Sequence, residues 1–285
     1  MIELTVALPM YKCSEVAWLA LESLCDQKNI DFDWELLIAE EKNEAYGLKK
    51  IQNFVDRLKK NRCVRLEYIS LDSWVPLLKK WRLLADKASD SRCFLIQAAD
   101  CYSQPYRLKE TYDLFSNDQT DWCQSKKGAF YELSSEQAAV FDYDLLEPSD
   151  YYYKNVFIPN TIHPCCLNMA MKTSLAKQIP RDNVFKSVDR YIFYSLEEYK
   201  QDKLNVVWNE SKNWTMGIDT DGLNKISVDR KYLIKNKIRP FSKEEYKVEK
   251  NIPKKVLKKI KEFKNLVIKN QKIHNDLDII SGTKN

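Results

Sequence analysis

FLIQAADCYSQPYRL, residues Phe94 to Leu108, runs an apolar segment directly into a carboxylate and is then broken by a proline. Read as a buried strand, it delivers Asp100 to its C-terminal end, the edge at which open α/β sheets bind ligands. The chain before it keeps a matching rhythm. Ile2 to Leu8 alternates apolar residues and meets Pro9, and Glu15 to Leu24 follows with helical spacing behind Ser14 as an N-cap. Trp34 to Ala39 predicts a second strand that ends at Glu40 and Glu41, followed by a helix from Ala45 to Leu58. Val64 to Ile69 predicts a third strand, Leu77 to Ala88 a third helix and Cys93 to Ala99 a fourth strand. Strands alternating with helices in this way predict a mostly parallel, Rossmann-like α/β sheet flanked by helices.

Past residue 110 the rhythm changes. Ala129 to Leu133 and Ala138 to Tyr143 flank the polar SSEQ, which predicts a β-hairpin added beside the parallel sheet. Leu167 to Met171 predicts a short strand, Ser174 to Gln178 a helix ended by Pro180, and Val188 to Tyr199 an amphipathic helix. Trp214 to Asn224 has the glycine and aspartate content of a loop able to fold over a ligand. From Val228 the chain turns lysine-rich, and Pro253 to Lys269 predicts a last amphipathic helix with Val256, Ile260, Phe263 and Val267 on one stripe. The expected organisation is one domain over 1–227, in halves of about 1–110 and 111–227, and a linker and C-terminal helical tail over 228–285.

At 285 residues, with 44% hydrophobic and 31% charged content, the chain is long enough for one substantial core. No window approaches the roughly 18–20 apolar residues of a transmembrane segment. The opening MIELTVALPMY lacks the basic region of a signal peptide. Eight cysteines (Cys13, Cys25, Cys63, Cys93, Cys101, Cys123, Cys165 and Cys166) have no CxxC spacing and often sit in apolar runs. They read as reduced core residues of a cytoplasmic protein. Cys165 and Cys166, with His163 as the only histidine nearby, make a poor zinc donor set. A net charge of +5 favours anionic partners: nucleotides, nucleic acids or acidic membrane surfaces.

Four segments in order, VALPMYKCSEVAWLALESLCDQ, WELLIAEEKN, LIQAADCYSQPYRL, and CLNMAMKTSLAKQIP followed by VDRYIF, resemble the family 2 glycosyltransferases of the GT-A fold. The resemblance implies an enzyme that moves a sugar from a nucleotide-diphosphate sugar, such as a UDP-sugar, to an acceptor hydroxyl with inversion. It puts the loop from Pro9 to Tyr11 and the carboxylate of Glu40 on the base, although Tyr11 reads equally as core and the Glu40–Glu41 pair as a solvated turn. Asp100 is the retained acid of a D-x-D motif whose first position is Ala98, and it implies Mg²⁺ or Mn²⁺ held by one carboxylate and the phosphates. Asp219 or Asp221 reads either as a second ligand or as part of a turn.

Lys80, in preference to Arg82 two positions on, is expected to face the donor diphosphate, against the ordinary reading of a solvated lysine. Asp189 matches the second acid of an E-D pair whose first position is Val188, and is the expected general base. The alternative is a helix start, with Ser187 as N-cap and Asp189 in the first turn. Asn168 and Met169 are expected to shape the floor between donor and acceptor, and Trp214 reads either as stacking on a sugar or as simply buried. The expected acceptor is a surface polysaccharide or lipid-linked glycan, with peripheral membrane contact through the lysine-rich helix. A hydroxymethylated pyrimidine in DNA is the alternative acceptor. A binding module that kept the fold and lost turnover is the alternative from another class.

Overall fold

A computed structural model of the chain describes residues 1–42, 45–133, 136–145, 149–161, 169–184, 187–211, 215–219 and 247–265. The first half lays down β1 (Ile2–Met10), α1 (Trp18–Cys25), β2 (Asp33–Glu41), α2 (Leu48–Gln52), α3 (Val55–Lys60), β3 (Cys63–Leu71), α4 (Leu77–Lys87), β4 (Cys93–Ile96), β5 (Cys101–Tyr102) and α5 (Arg107–Leu114). The second adds β6 (Trp122–Ser125), β7 (Lys127–Glu132), β8 (Gln137–Asp142), β9 (Ser149–Tyr153), β10 (Val156–Thr161), β11 (Ala170–Lys172), α6 (Thr173–Ala176), α7 (Val188–Lys200), β12 (Val206–Asn209) and β13 (Met216–Asp219).

The main sheet has seven strands in the order β12-β6-β11-β4-β1-β2-β3. All neighbours run parallel except β11, which is antiparallel to both β4 and β6. The central strand β1 is covered on both faces, so Leu4 to Leu8 read as a continuous apolar run broken only by Thr5, whose hydroxyl is satisfied by Glu35 at 2.6 Å. Helix α4 and α7 cover one face, while α1 and α3 cover the other.

Several boundaries differ from the sequence reading, each for a physical reason. Pro9 does not end β1: the strand continues to Met10, paired with Glu40. Ala7 accepts from the Gln97 amide on the β4 side. Strand alternation turns Pro9 to that same side, where β4 has already finished, so its missing N–H breaks no ladder bond. Ser14 is not the cap of α1, which starts at Trp18 after a turn and carries no side-chain cap. The expected helix over 45–58 is two short helices. Gly47, at φ +85°, sets the entry into α2, and nothing lies within 4 Å of its absent Cβ. Its backbone angle is therefore what requires glycine.

Strand β4 stops at Ile96, short of Ala99. Gln97 then turns the chain: its amide group donates to the carbonyls of Ala98 and Cys101 at 2.9 and 3.0 Å. The buried Arg107 guanidinium holds the Gln97 side-chain oxygen at 2.9 Å and the Ile96 carbonyl at 2.7 Å. Asp100 thus lies on a braced loop where the chain crosses into a second sheet, ordered β5-β13-β7-β8. The expected hairpin forms as β7 and β8, inside this second sheet. The expected loop after Trp214 holds a strand instead, because Met216 and Ile218 alternate with Gly217 and bury themselves in the second core; residues 214 and 220–224 lie outside the described residues.

Residues 254–265 are helical and dock on that core. Val256 and Ile260 are buried with Leu19, Tyr102 and Met216, Phe263 packs beside them, and Val267 lies outside the described residues. The apolar stripe of this helix is therefore covered by the protein itself, as a tail helix docked on the main domain requires. No helix among the described residues is long and apolar enough to cross a membrane.

A buried carboxylate fastens this helix. Glu22 accepts both ends of the Arg57 guanidinium at 2.9 and 3.1 Å and pairs with Lys255 at 2.8 Å. Burial pushes its pKa up, but the Arg57 and Lys255 hydrogen bonds outweigh that and hold it at about 2. Its folded pKa is depressed, so its stabilisation is complete above the ordinary carboxylate range and fades as pH falls toward 2. Glu22→Gln is expected to cost about 1–3 kcal/mol at neutral pH. Urea denaturation at pH 7 and pH 3 checks this: the variant should lose less stability on acidification than the wild type.

Candidate active site

A cavity of about 280 Å³ opens at the C-terminal edge of β1. Its walls are Pro9, Met10 and Tyr11 from the β1 end, the segment Trp74 to Leu77 and Lys80 from the β3–α4 connection, and Val184 and Val188 from the approach to α7. This is the carboxyl edge of a doubly wound sheet, where ligands collect. Lys80 is the only charged residue among the described residues of these walls.

Lys80 is 2% exposed, so the reading of a solvated lysine fails. Its ammonium donates to the Met10 carbonyl at 2.6 Å and to Glu41 at 2.7 Å, and lies 5.2 Å from the centre of the Tyr11 ring. Glu41 also accepts the Val75 amide at 3.1 Å. Parallel pairing of Met10 with Glu40 brings the two strand ends level, and Lys80 reaches them from the first turn of α4. Burial lowers the Lys80 pKa, and the adjacent Glu41 opposes that shift. The pair is electrically neutral as a unit. The charge of Lys80 is therefore compensated within the protein by Glu41.

Glu40 is 1% exposed, and its two oxygens accept the amides of Tyr46 and Gly47 at 2.6 and 3.0 Å and the Tyr68 hydroxyl at 3.0 Å. The solvated turn read as the alternative at this position is not what the fold builds. Glu40 instead pins the turn before α2 to the sheet. Burial, reinforced by Glu40, pushes the Tyr68 hydroxyl up to about 12.

The Cys13 thiol records which groups gather here. Burial raises its pKa to about 12; a backbone hydrogen bond at Tyr11 opposes this, Asp100 and Glu40 add to it, and Lys80 lowers it. Asp100, Glu40, Lys80 and the Tyr11 backbone thus all act on one loop. Asp100 is half-buried, and its carbonyl accepts the Ile218 amide at 3.1 Å. With Gly217 paired to Cys101, two further steps along β13 set the Asp219 backbone beside the Asp100 loop. The Asp219 side chain and all of Asp221 lie outside what is described, and no group of three or more acidic, histidine or cysteine side chains forms among the described residues.

Asp189 lies in the first turn of α7, next to Val188 on the cavity wall. Ser187 does not act as the expected N-cap: its φ of +50° is left-handed, and it makes no side-chain cap bond. Arg82 turns from the cavity to Asp86 and the Ile179 carbonyl. Met169 is fully buried, and its carbonyl accepts the Ile96 amide at 3.0 Å, so it belongs to the core beneath the site and is not an exposed acceptor floor. Asn168 and Trp214 lie outside the described residues. The sequence reading missed Trp74, Val75 and Pro76. A tryptophan beside a proline, in the connection leaving a parallel strand at its carboxyl edge, was the available signal.

No protein-family model matches the chain, and no curated protein matches it in sequence. Solved structures match its shape. S. aureus TarS 1–349 in complex with UDP-GlcNAc aligns at a TM-score of 0.57 and 13% identity, covering 76% of this chain and 59% of that one. A longer TarS structure aligns at 0.56 and 13% identity, covering 77% of this chain and 37% of that one. The mannosyltransferase PcManGT from Pyrobaculum calidifontis, in complex with GDP-Man and Mn²⁺, aligns at 0.50 and 11% identity, covering 76% and 56%. This chain spans less than two thirds of each of these structures.

The neutral pair makes a thermodynamic prediction. Glu41→Gln strands a buried ammonium and should destabilise by about 3–5 kcal/mol, whereas the double variant Glu41→Gln/Lys80→Met should recover much of that loss. Denaturant melts of the wild type, both single variants and the double variant measure the coupling. Additive losses would contradict it. The likeness to these structures is one of fold, and the chain has the GT-A-like architecture: a mostly parallel seven-stranded sheet flanked by helices.

Proposed function

We propose that the protein is a glycosyltransferase that moves a sugar from a nucleotide-diphosphate sugar to an acceptor hydroxyl with inversion. The observation that carries this reading is the convergence, at one sheet edge, of an aromatic-walled cavity, the Asp100 loop and the start of α7. In this reading Tyr11 and Trp74 give the cavity flat walls for the nucleotide base. The Lys80 ammonium is held by the Met10 carbonyl at 2.6 Å and lies 2.7 Å from both Glu41 oxygens. Because Glu41 cancels the Lys80 charge, the cavity favours an uncharged ring, and the diphosphate belongs outside it, toward Asp100.

Asp189 acts as general base. Its carboxylate takes the acceptor proton while the acceptor oxygen attacks the anomeric carbon from the face opposite the diphosphate. The bond from that carbon to the diphosphate oxygen breaks, the nucleoside diphosphate leaves with the electron pair, and the anomeric configuration inverts. Asp100 offers a hard oxygen donor, and that donor set fits Mg²⁺ or Mn²⁺, which take only one or two protein carboxylates when phosphates supply the rest. Such an ion, when bound, offsets charge on the departing diphosphate.

A surface polysaccharide or lipid-linked glycan is the preferred acceptor. The six described cysteines are all free, which supports a cytoplasmic setting. With the apolar stripe of the tail helix buried, any contact with an anionic membrane face would run through its lysines. Transfer to hydroxymethylated pyrimidines in DNA rests only on the net charge of +5 and stands second.

Asp189→Asn is expected to lower turnover about 100- to 10,000-fold and leave nucleotide binding unchanged. Nucleotide release from UDP- and GDP-linked sugars, with and without Mn²⁺, measures the first, and calorimetric titration the second. Unchanged turnover would remove Asp189 as the base. Binding without turnover by the wild type would identify a binding module.

A further inference from the structure

Strands β9 and β10 form a separate two-stranded sheet, with Tyr152 directly opposite Phe157. Strand alternation sorts its side chains onto two faces. On the inner face, Tyr151 stacks on Tyr194 of α7 at 5.8 Å, and Tyr153 lies 5.3 Å from Tyr191. The Tyr153 hydroxyl is 3.1 Å from the Ser195 hydroxyl, and Lys154 pairs with Glu198 at 2.7 Å. The outer face carries Tyr152 and Phe157, their rings 5.4 Å apart and the residues 68% and 50% exposed. A hairpin fastened this firmly to α7 holds two aromatic rings side by side in solvent.

The size of this patch argues for its occupant. An aromatic side chain buries about 150–250 Å², so at these exposures the two rings together offer roughly 200–300 Å². A stable protein interface takes about 800 Å² from each partner. The patch is too small for a second copy of the chain and suits one or two sugar rings. The negative face of an aromatic ring attracts the polarised C–H bonds on the apolar face of a pyranose, while the sugar hydroxyls stay in water.

Position argues the same way. The Arg190 guanidinium lies 5.6 Å from the Tyr151 ring, and Glu198 holds Lys154. The hairpin therefore lies along a length of α7 of about 12 Å, at 1.5 Å per residue, that begins one residue from Asp189. We propose that Tyr152 and Phe157 form an acceptor subsite that binds the pyranose rings of a glycan chain by stacking and leads it toward Asp189. The guiding role rests on the glycosyl-transfer reading; the binding itself does not.

Affinity electrophoresis through native gels containing dextran, mannan or hydroxyethylcellulose tests the subsite. The wild type should be retarded in at least one gel. Tyr152→Ser/Phe157→Ser should lose at least ten-fold in apparent affinity, and Tyr152→Phe, which keeps the ring, should retain it. Hydrolysis of UDP- or GDP-linked sugar without acceptor should be equal in all of them. No retardation of the wild type, equal retardation of the serine variant, or a wild-type dimer that the serine variant dissolves would each overturn the proposal. Retardation in the absence of any donor hydrolysis would sink the glycosyl-transfer reading and leave the glycan subsite standing.

Discussion

The buried pair of Glu41 and Lys80 is the constraint on which the site depends. It joins the ends of two parallel strands, the first turn of α4 and the Val75 amide through contacts of 2.6 to 3.1 Å. Two charges taken out of water are tolerable only when paired and fully hydrogen-bonded. Once that condition is met, the geometry around them is fixed: Tyr11 sits over the ammonium, and the connection that carries Trp74 is tied to the sheet. The pair also sets the electrostatics of the cavity. A neutral unit offers hydrogen bonding without net charge, and the half-buried Asp100 lies on the flanking loop.

The second sheet extends this division. The chain leaves β4 after Ile96, turns under the control of Gln97 and Arg107, and enters β5 with Asp100 on the turn. Strand β13 returns along β5 and brings Asp219 level with that loop. The tail helix then closes the back of the second sheet through Val256 and Ile260, and Glu22 fastens it to α1 and α3. Parts of the chain more than 200 residues apart thus support one sheet edge, as in the contact of Lys255 with Asp26.

Much of the main sheet was legible because buried parallel strands are written as continuous apolar runs, and VALP, LLIA and CFLI need no partner information to be read. The hairpin of β7 and β8 was legible from alternation around a polar turn. The failures share a cause. Pro9 stays inside a strand because of where β4 ends, which the local sequence does not encode. Strand β13 was hidden by glycine and aspartate in MGID, although its buried Met216 and Ile218 alternate. Glu40, Glu41 and Lys80 looked solvated because charged residues usually are. Their partners come from up to 70 residues away, as with Lys80 and Met10. Asp100 and Asp189 were singled out through the order of motifs, whereas Trp74, on the cavity wall, belongs to no motif.

The account's central claim is that the cavity beside the neutral pair receives the uncharged ring of a nucleotide while the diphosphate lies toward Asp100. A crystal structure of the protein grown with UDP and Mn²⁺ tests it most directly. The account predicts the uracil ring between Tyr11 and Trp74, beside the Lys80–Glu41 pair, and the phosphates beside Asp100. Phosphates seated against Lys80, or UDP bound away from this sheet edge, would contradict it.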